Sequence, residues 1–494
     1  MKSTLIKGTL ILTIAGFACR ILGFFYRIYL SKGLGAEGLG IYQMIFPVYS
    51  ICFTIYASGI QTGVSQLLSE RTTSQIPKRL IKTGLFLSIF LALCMSISLY
   101  SFADTISVHI LQVPECGKLL KTLSFIFPIC GITSVINGVF YGLNRAKVPA
   151  VTQMVEQIVR IGFVFVLTSF PLFSVTFTCR LAVLGLIAGE IASNIYNVYQ
   201  LKKLPAEAEK TTHRKTSEKY IRKILSLSIP LSSTRLVIAL LNSMETVMIP
   251  AMLVRYGSTQ QAALSVYGII SGIVLPFILF PGAITNSLSV LLLPAISNAN
   301  GRQDYEKIRI TTQEAIKYTL LLGILFSTIF SLFGTELGEL VFHSTDAGNY
   351  LVLTSCVCPF IYASTTLSSI INGLGKTHIT FRNTVIGLSI RILCLAFGVP
   401  KFGIYGYLVG FLISQIFITI LDGKYLYNLC HYHLEIVKWF VIPSGLLYLT
   451  GFLCKKTIRY IPYLDTKYSE LLTISFIPVI CILFYLFLRK QKII

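Results

Sequence analysis

The sequence predicts an all-α membrane protein of about fourteen transmembrane helices, arranged as two pseudo-symmetric six-helix lobes plus two C-terminal helices. Composition, recurring apolar runs and an internal repeat carry that prediction. Of 494 residues, 54% are hydrophobic and 13% charged, against about 25% charged in a soluble domain. The charges gather in short clusters between apolar stretches, as a bilayer requires of a multispanning chain. Met1-Lys2 runs directly into an apolar segment with internal arginines and no small-residue cleavage site, which reads as a first membrane helix rather than a removed signal peptide.

Apolar runs of about 20 residues, long enough to cross the hydrocarbon core, fall near 8–30, 40–68, 80–103, 118–142, 149–170, 178–201, 223–250, 262–293, 311–333, 348–374, 380–400, 403–428, 437–454 and 470–488. The division within 380–428 is placed at Pro400-Lys401. Basic residues collect in the loops that follow even-numbered spans: Arg71, Lys78, Arg79 and Lys82; Arg145 and Lys147; the cluster after 201; Arg302, Lys307 and Arg309; Lys376 and Arg382; Lys424 and Lys438. Lys and Arg mark cytoplasmic loops, so both termini of this multi-pass cell-membrane protein are expected in the cytoplasm. Lys455, Lys456, Arg459 and Lys467 form the largest basic group on the other side. The same rule accounts for the formal charge of +22 without nucleic acid as a partner.

The chain repeats itself. The shift that lays Pro128 on Pro359 also lays Ser124 on Ser355, Gly142-Leu143 on Gly373-Leu374 and Arg160-Ile161 on Arg391-Ile392. After a deletion in the next loop, Gly185, Gly189, Ser193 and Ile195 fall on Gly406, Gly410, Ser414 and Ile416. An even number of spans separates the copies, so the repeat is parallel, and two such halves rocking about a midplane cavity is a transporter architecture. The expected divisions are an N-terminal lobe, 1–201; a basic cytoplasmic linker, 202–222; a C-terminal lobe, 223–428; and two further helices, 429–494.

Arg20, Arg27, Arg160, Arg235, Arg391 and Lys317 lie inside apolar segments. An Arg at a helix centre costs about 2.5–3.5 kcal/mol on insertion scales, and such residues face a bundle interior or a watery cavity. Arg20 and Arg27 are two turns apart on one face of the first helix, with no acid in that span. Snorkelling is one reading, chiefly for Arg27. The other is an anion-attracting surface, since guanidinium groups fork onto phosphate oxygens. Glu156 stands one turn before Arg160, the spacing of a structural ion pair, whereas Gly387 occupies the matching place before Arg391. Arg391 is therefore left to pair across helices or to lie near the outer face. Arg235 and Glu245 share the seventh span; Glu245 and Glu190 read either as counter-ions or as proton or cation sites. Lys317 and Glu314 mark the inner end of a span. Pro47, Pro128, Pro230, Pro276, Pro281 and Pro359 interrupt spans, giving static kinks or freed carbonyls that line a cavity.

No catalytic set, metal site or cofactor is expected. The 12 cysteines are scattered through apolar segments, and Cys356 and Cys358 have no second pair or histidine companion. His109, His213, His343, His378, His431 and His433 fall in loops or at span ends, and there is no Gly-rich phosphate loop with a Lys. The chain is accordingly read as a non-enzyme whose transport draws on an ion gradient, the membrane potential or substrate flow.

The opening, Lys7-Gly-Thr through Arg20-Ile-Leu-Gly-Phe-Phe-Tyr-Arg27, then Leu34-Gly-Ala-Glu-Gly-Leu-Gly-Ile-Tyr-Gln-Met44 and Pro47, resembles the stage V sporulation protein B group. That group sits in the polysaccharide-transport branch of the multidrug/oligosaccharidyl-lipid/polysaccharide exporter superfamily, beside the lipid II flippases. Tyr141-Gly-Leu-Asn-Arg-Ala-Lys147 and Asn372-Gly-Leu-Gly-Lys376 look like the family's loop after each lobe's fourth helix. The resemblance implies two lobes around a V-shaped cavity and alternating-access movement of undecaprenyl-pyrophosphate-linked sugars to the outer leaflet, for peptidoglycan, polysaccharide or spore cortex. First-helix arginines line the cavity in the flippases, and Arg20 and Arg27 match that pattern; Arg255 corresponds loosely to a basic residue at the outer end of the seventh helix. The second-helix arginine of the flippases has no counterpart, since 41–68 contains none. The cavity charges expected to meet substrate are thus Arg20, Arg27, Arg235, Glu245, Arg255 and Arg391, with Glu156 and Arg160 as a structural pair. Partners would be a lipid-linked saccharide, membrane lipids and a coupling ion, Na+ or H+, acting on a monomer.

Three other readings compete. A cation-coupled multidrug exporter of the same superfamily calls for acids in the cavity, where the first span here has arginines. A membrane-embedded glycan polymerase needs a large outer loop, while the longest loop here falls inside. A non-transporting scaffold for cell-wall or spore-cortex synthesis needs no cavity charge at all.

Overall fold

The computed structural model describes residues 2–70, 77–169, 177–204, 215–459, 475 and 477–490. Residues 205–214 of the expected linker, and 460–474, which hold Lys467 and the start of the expected span 470–488, lie outside the described residues. All regular structure among the described residues is helical. In chain order the helices are α1 (Lys2–Gln43), α2 (Phe46–Phe53), α3 (Gly59–Ser69), α4 (Lys78–Thr105), α5 (Cys116–Ser124), α6 (Phe127–Gly142), α7 (Lys147–Ser169), α8 (Cys179–Lys202), α9 (Lys215–Tyr256) and α10 (Gln260–Ile269). There follow α11 (Leu275–Leu279), α12 (Gly282–Gly301), α13 (Tyr305–Phe342), α14 (Thr345–Thr354), α15 (Cys358–Gly373), α16 (Thr377–Phe402), α17 (Ile404–Cys430), α18 (Ile442–Arg459) and α19 (Ile477–Lys490).

Among the described residues 11 helices are long and apolar enough to cross a membrane, or up to 12 if the bent pair α5–α6 is one span. Two shorter apolar helices, Val437–Leu453 and Ile477–Arg489, follow them. Within the expected eighth span the chain forms two apolar stretches, Gln260–Leu279 and Gly282–Gly301, because Pro281 stands at the break and starts α12. Pro128 and Pro359 stand in the first turns of α6 and α15; the first copy of the repeated fourth helix bends there by 49°, while the second, Thr345–Gly373, carries a 3-10 turn at Ser355–Val357 within one span. The turn between α16 and α17 corrects one expectation. Helix α16 runs through Pro400 to Phe402, and the reversal sits at Gly403 (φ 60°, ψ −147°), a conformation that a Cβ disfavours.

The chain divides into two compact units, Met1–Ala251 with Thr259–Gly268, and Met252–Ser258 with Ile269–Ile494. In the first, Ile60, Val64 and Leu68 of α3 pack with Leu80 of α4, Val135 and Val139 of α6 and Ile224 of α9. In the second, Leu292 and Ile296 of α12, Ile308 and Ile316 of α13, Leu367 and Ile370 of α15 and Leu426 of α17 form the corresponding cluster. Helix α4 shows what drives the packing. Its buried face includes Thr83, Gly84, Ser88, Ala92 and Ala103, while Phe86, Phe90 and Ile97 are exposed. Lipid tails are as apolar as those side chains, so small residues take the helix contacts and large ones face outward.

The opening motif obeys the same rule. Gly35 (φ 70°) breaks α1 and re-aims its last turns. A Cβ on Gly40 would lie 2.2 Å from the Leu264 carbonyl oxygen, and one on Gly268 would lie 2.1 Å from that of Ala36. The backbones of α1 and α10 therefore touch through paired glycines.

The candidate charge sites and their surroundings

Helix α7 carries Glu156 and Arg160 to the interior of the first unit, where the two form an ion pair one turn apart. Tyr26 and Tyr42 of α1, both buried, and Tyr49 of α2 lie close enough to act on the Arg160 charge. Arg27 of α1 is half-buried, and Tyr42 and Arg160 lie within electrostatic reach of it. Glu190 of α8 is 6% exposed, with Glu156, Arg160, Thr133 and Cys130 around it. The first unit thus holds two guanidinium groups and two carboxylates in one buried neighbourhood. Opposite charges at such range compensate the cost of burial that either sign would bear alone. The cysteine before Arg20 feels the same pair, while Arg20 itself is exposed and makes no hydrogen bond or ion pair among the described residues.

Arg235 of α9 is placed separately. Its Nη1 donates to the Ser58 carbonyl (3.0 Å), the Ser58 hydroxyl (2.5 Å) and the Thr62 hydroxyl (3.2 Å). Ser58 ends a π-helical turn, Thr54–Ser58, whose register change leaves carbonyls open to an outside donor. Glu245, ten residues on, is buried, but about 15 Å further along the axis, so these two charges serve different neighbours.

Two of the named charges belong to the second unit. Arg255 is exposed in the last turn of α9, where a cation complements the helix dipole. Arg391 of α16 lies with its guanidinium 4.9 Å from the centroid of Phe411 on α17. Lys317 bonds Glu314 at 2.6 Å on its own helix. Lys455 of α18 bonds Glu336 of α13 at 2.8 Å and also reaches the Leu332 carbonyl. Of the expected cavity charges, then, Arg27 shares a neighbourhood with Glu156 and Arg160, and Arg20, Arg235, Glu245, Arg255 and Arg391 are distributed elsewhere.

The repeat is legible in side-chain contacts. Asn194 donates to Thr133 in the first unit, and Gln415 meets Ser364 in the second, the same two places in the repeat. Asn137, Thr152 and Asn197 join α6, α7 and α8; their mates Ser368 and Asn383 join α15 and α16 to α17 through Asp422, one turn beyond the place of Asn197. These polar contacts were not singled out from sequence, where lone Asn, Ser and Thr residues in apolar runs carry no periodic signal. Among the described residues no group of three or more His, Cys, Asp or Glu is placed to hold a metal ion.

The sequence profile of the family described as Polysaccharide biosynthesis protein matches residues 5–300, and that described as MatE matches residues 234–397. The chain is 26% identical over 472 residues to Stage V sporulation protein B of Bacillus subtilis, covering 94% of this chain and 91% of that protein. It is 23% identical over 424 residues to Lipid II flippase MurJ of the same organism, covering 80% and 77%. In fold it is similar to a solved structure of the lipid II flippase MurJ in an inward closed conformation, with a TM-score of 0.74 at 18% identity, covering 98% of this chain and 100% of that one.

Proposed function

We propose, on the premise that this chain belongs to the polysaccharide biosynthesis protein family and is a multi-pass membrane transporter or flippase of the multidrug/oligosaccharidyl-lipid/polysaccharide exporter superfamily, that it moves an anionic lipid-linked saccharide across the cytoplasmic membrane. The substrate class is an undecaprenyl-pyrophosphate-linked precursor of peptidoglycan or another polysaccharide, carried by alternating access. The observation that carries this reading is the first helix, which bears Arg20 and Arg27 and no acid before Glu37. Guanidinium groups bind pyrophosphate oxygens bidentately and keep their charge at any working pH. The likeness to a protein named as a lipid II flippase supports the same substrate class.

A multidrug exporter would instead need net negative charge to attract cations. Glu190, buried, and Glu156, half-buried, both stand beside Arg160, which speaks against that alternative for this pair. The basic loops support cytoplasmic termini. Reporters fused to each terminus test this, and an externally labelled C-terminus would reverse the assignment of the last spans.

The substrate reading is tested by complementing a strain that lacks its own flippase with Arg20→Ala, Arg27→Ala and the two Lys variants, at matched membrane abundance. Loss in the alanine variants with partial recovery in the lysine variants is expected. Full growth of both alanine variants would remove these arginines from substrate binding and favour a scaffold.

A further inference from the structure

Ser368 of α15, Asn383 of α16 and Asp422 of α17 close into a polar trio inside the second unit. Ser368 Oγ donates to Asp422 Oδ2 at 2.8 Å, and Asn383 Nδ2 donates to Oδ1 at 2.7 Å. Asn383 and Asp422 are both 0% exposed. Among the described residues Asp422 makes no ion pair. Of the charged groups on the helices packed around it, Arg382 reaches it only through Asn383 Oδ1, at 3.4 Å from both Nε and Nη2. On α13, Arg309 is held by Glu306 and Lys317 by Glu314. Helix α15 offers the Ser368 hydroxyl, α14 carries Asp346 in its first turn, and Lys424 on α17 itself is exposed.

The repeat supplies an internal control. The shift that lays Pro128 on Pro359 lays Asn137 on Ser368 and Thr152 on Asn383, while the third members differ in place: Asn197 falls on Ile418, and Asp422 on Leu201 one turn further along. In the first unit Thr152 Oγ1 bonds Asn197 Oδ1 at 2.6 Å, and Asn197 Nδ2 donates to Asn137 Oδ1 at 3.3 Å. Three helices are pinned there by neutral groups alone, so pinning does not require a carboxylate. An ionisable group within a membrane span is costly and marks a functional site by default. Asn383 stands in the second turn of α16 and Asp422 about two turns before the end of α17, so the trio lies near the start of one helix and the end of the next.

We propose that Asp422 is a proton-carrying site of the transport cycle, loaded in one conformation of the second unit and emptied in another; this rests on the transporter reading above. In the loaded state one carboxyl oxygen bears the proton, and the Ser368 hydroxyl turns to accept it in a hydrogen bond. On release the proton passes to water, and Ser368 and Asn383 both donate to the carboxylate, the arrangement seen here. Charge compensation then comes from two neutral donors and, through Asn383, from Arg382.

The test uses the full chain in liposomes and infrared difference spectra between acidic and alkaline buffer. Exposed carboxyls are already ionised in the neutral range, so a protonated-carboxyl band that titrates there reports a buried acid. Asp422→Asn is expected to remove that band; an unchanged spectrum would overturn the proposal. Ser368→Ala keeps the carboxyl but deletes a donor to its anion, so the titration midpoint should move to higher pH. An unmoved midpoint would overturn the proposal even where Asp422→Asn fails to accumulate. In complementation, Asp422→Asn should lose function and Asp422→Glu keep part of it. Full function of Asp422→Asn, which reproduces a neutral trio, would make the site a static pin. Failure of the unmutated chain to complement, with the Asp422 band present, would overturn the flippase reading while leaving the titrating site in place.

Discussion

Arg391 holds its guanidinium over the ring of Phe411 at 4.9 Å, where its repeat mate Arg160 is paired with Glu156. Phe411 occupies the repeat position of Glu190, and Gly387 that of Glu156. The two units therefore surround the repeated guanidinium with different groups. In the first the arginine meets carboxylates; in the second the negative face of an aromatic ring is one of its contacts.

Phe411 is 3% exposed, so replacing it tests both packing and the ring face. Phe411→Leu should cost about 2 kcal/mol, combining lost volume with the lost cation–π contact. Phe411→Tyr keeps the face and should cost less than half of that. Thermal unfolding in detergent measures both, and equal losses would show that the ring face contributes nothing.

Glu156→Gln should destabilise the first unit by about 2 kcal/mol, between the values for exposed and fully buried pairs, since these side chains retain 26% and 20% exposure. Adding Arg160→Gln should restore part of the loss, because the uncompensated cation is then gone. A double-mutant cycle on unfolding midpoints reads the coupling directly.

The glycine contact between α1 and α10 predicts a steric defect. Gly268→Ala would set a Cβ 2.1 Å from the Ala36 carbonyl oxygen, and overpacking of this kind costs about 1–3 kcal/mol. Gly16→Ala, which meets nothing within 4 Å, serves as the control. Membrane abundance should fall for Gly268→Ala and hold for Gly16→Ala.

Lys455 and Glu336 tie α18 to α13, with 25% and 15% side-chain exposure. Glu336→Gln should leave the ammonium group half-buried without its carboxylate and loosen α18 by about 1–2 kcal/mol. Limited proteolysis around α18 should then run several-fold faster, while cleavage elsewhere is unchanged.

The helical class, most of the apolar spans and the repeat were legible in the sequence. They rest on local signals: run length, proline and glycine placement, and spacing along one helix. The i,i+4 spacing of Glu156 and Arg160 is such a signal. The break before α12 and the turn at Gly403 were less legible, because proline both starts helices and is tolerated in their last turns.

By itself the sequence marked which segments are apolar enough to enter a membrane and which charges lie within them, since transfer from water to lipid acts on each segment separately. Only the tertiary structure decided what those charges meet. Arg391 finds Phe411, Arg235 finds Ser58 and Thr62, and Asp422 finds Ser368 and Asn383. Each of these contacts crosses from one helix to another. Its partner is fixed by how helix faces pack, and no local periodicity encodes that.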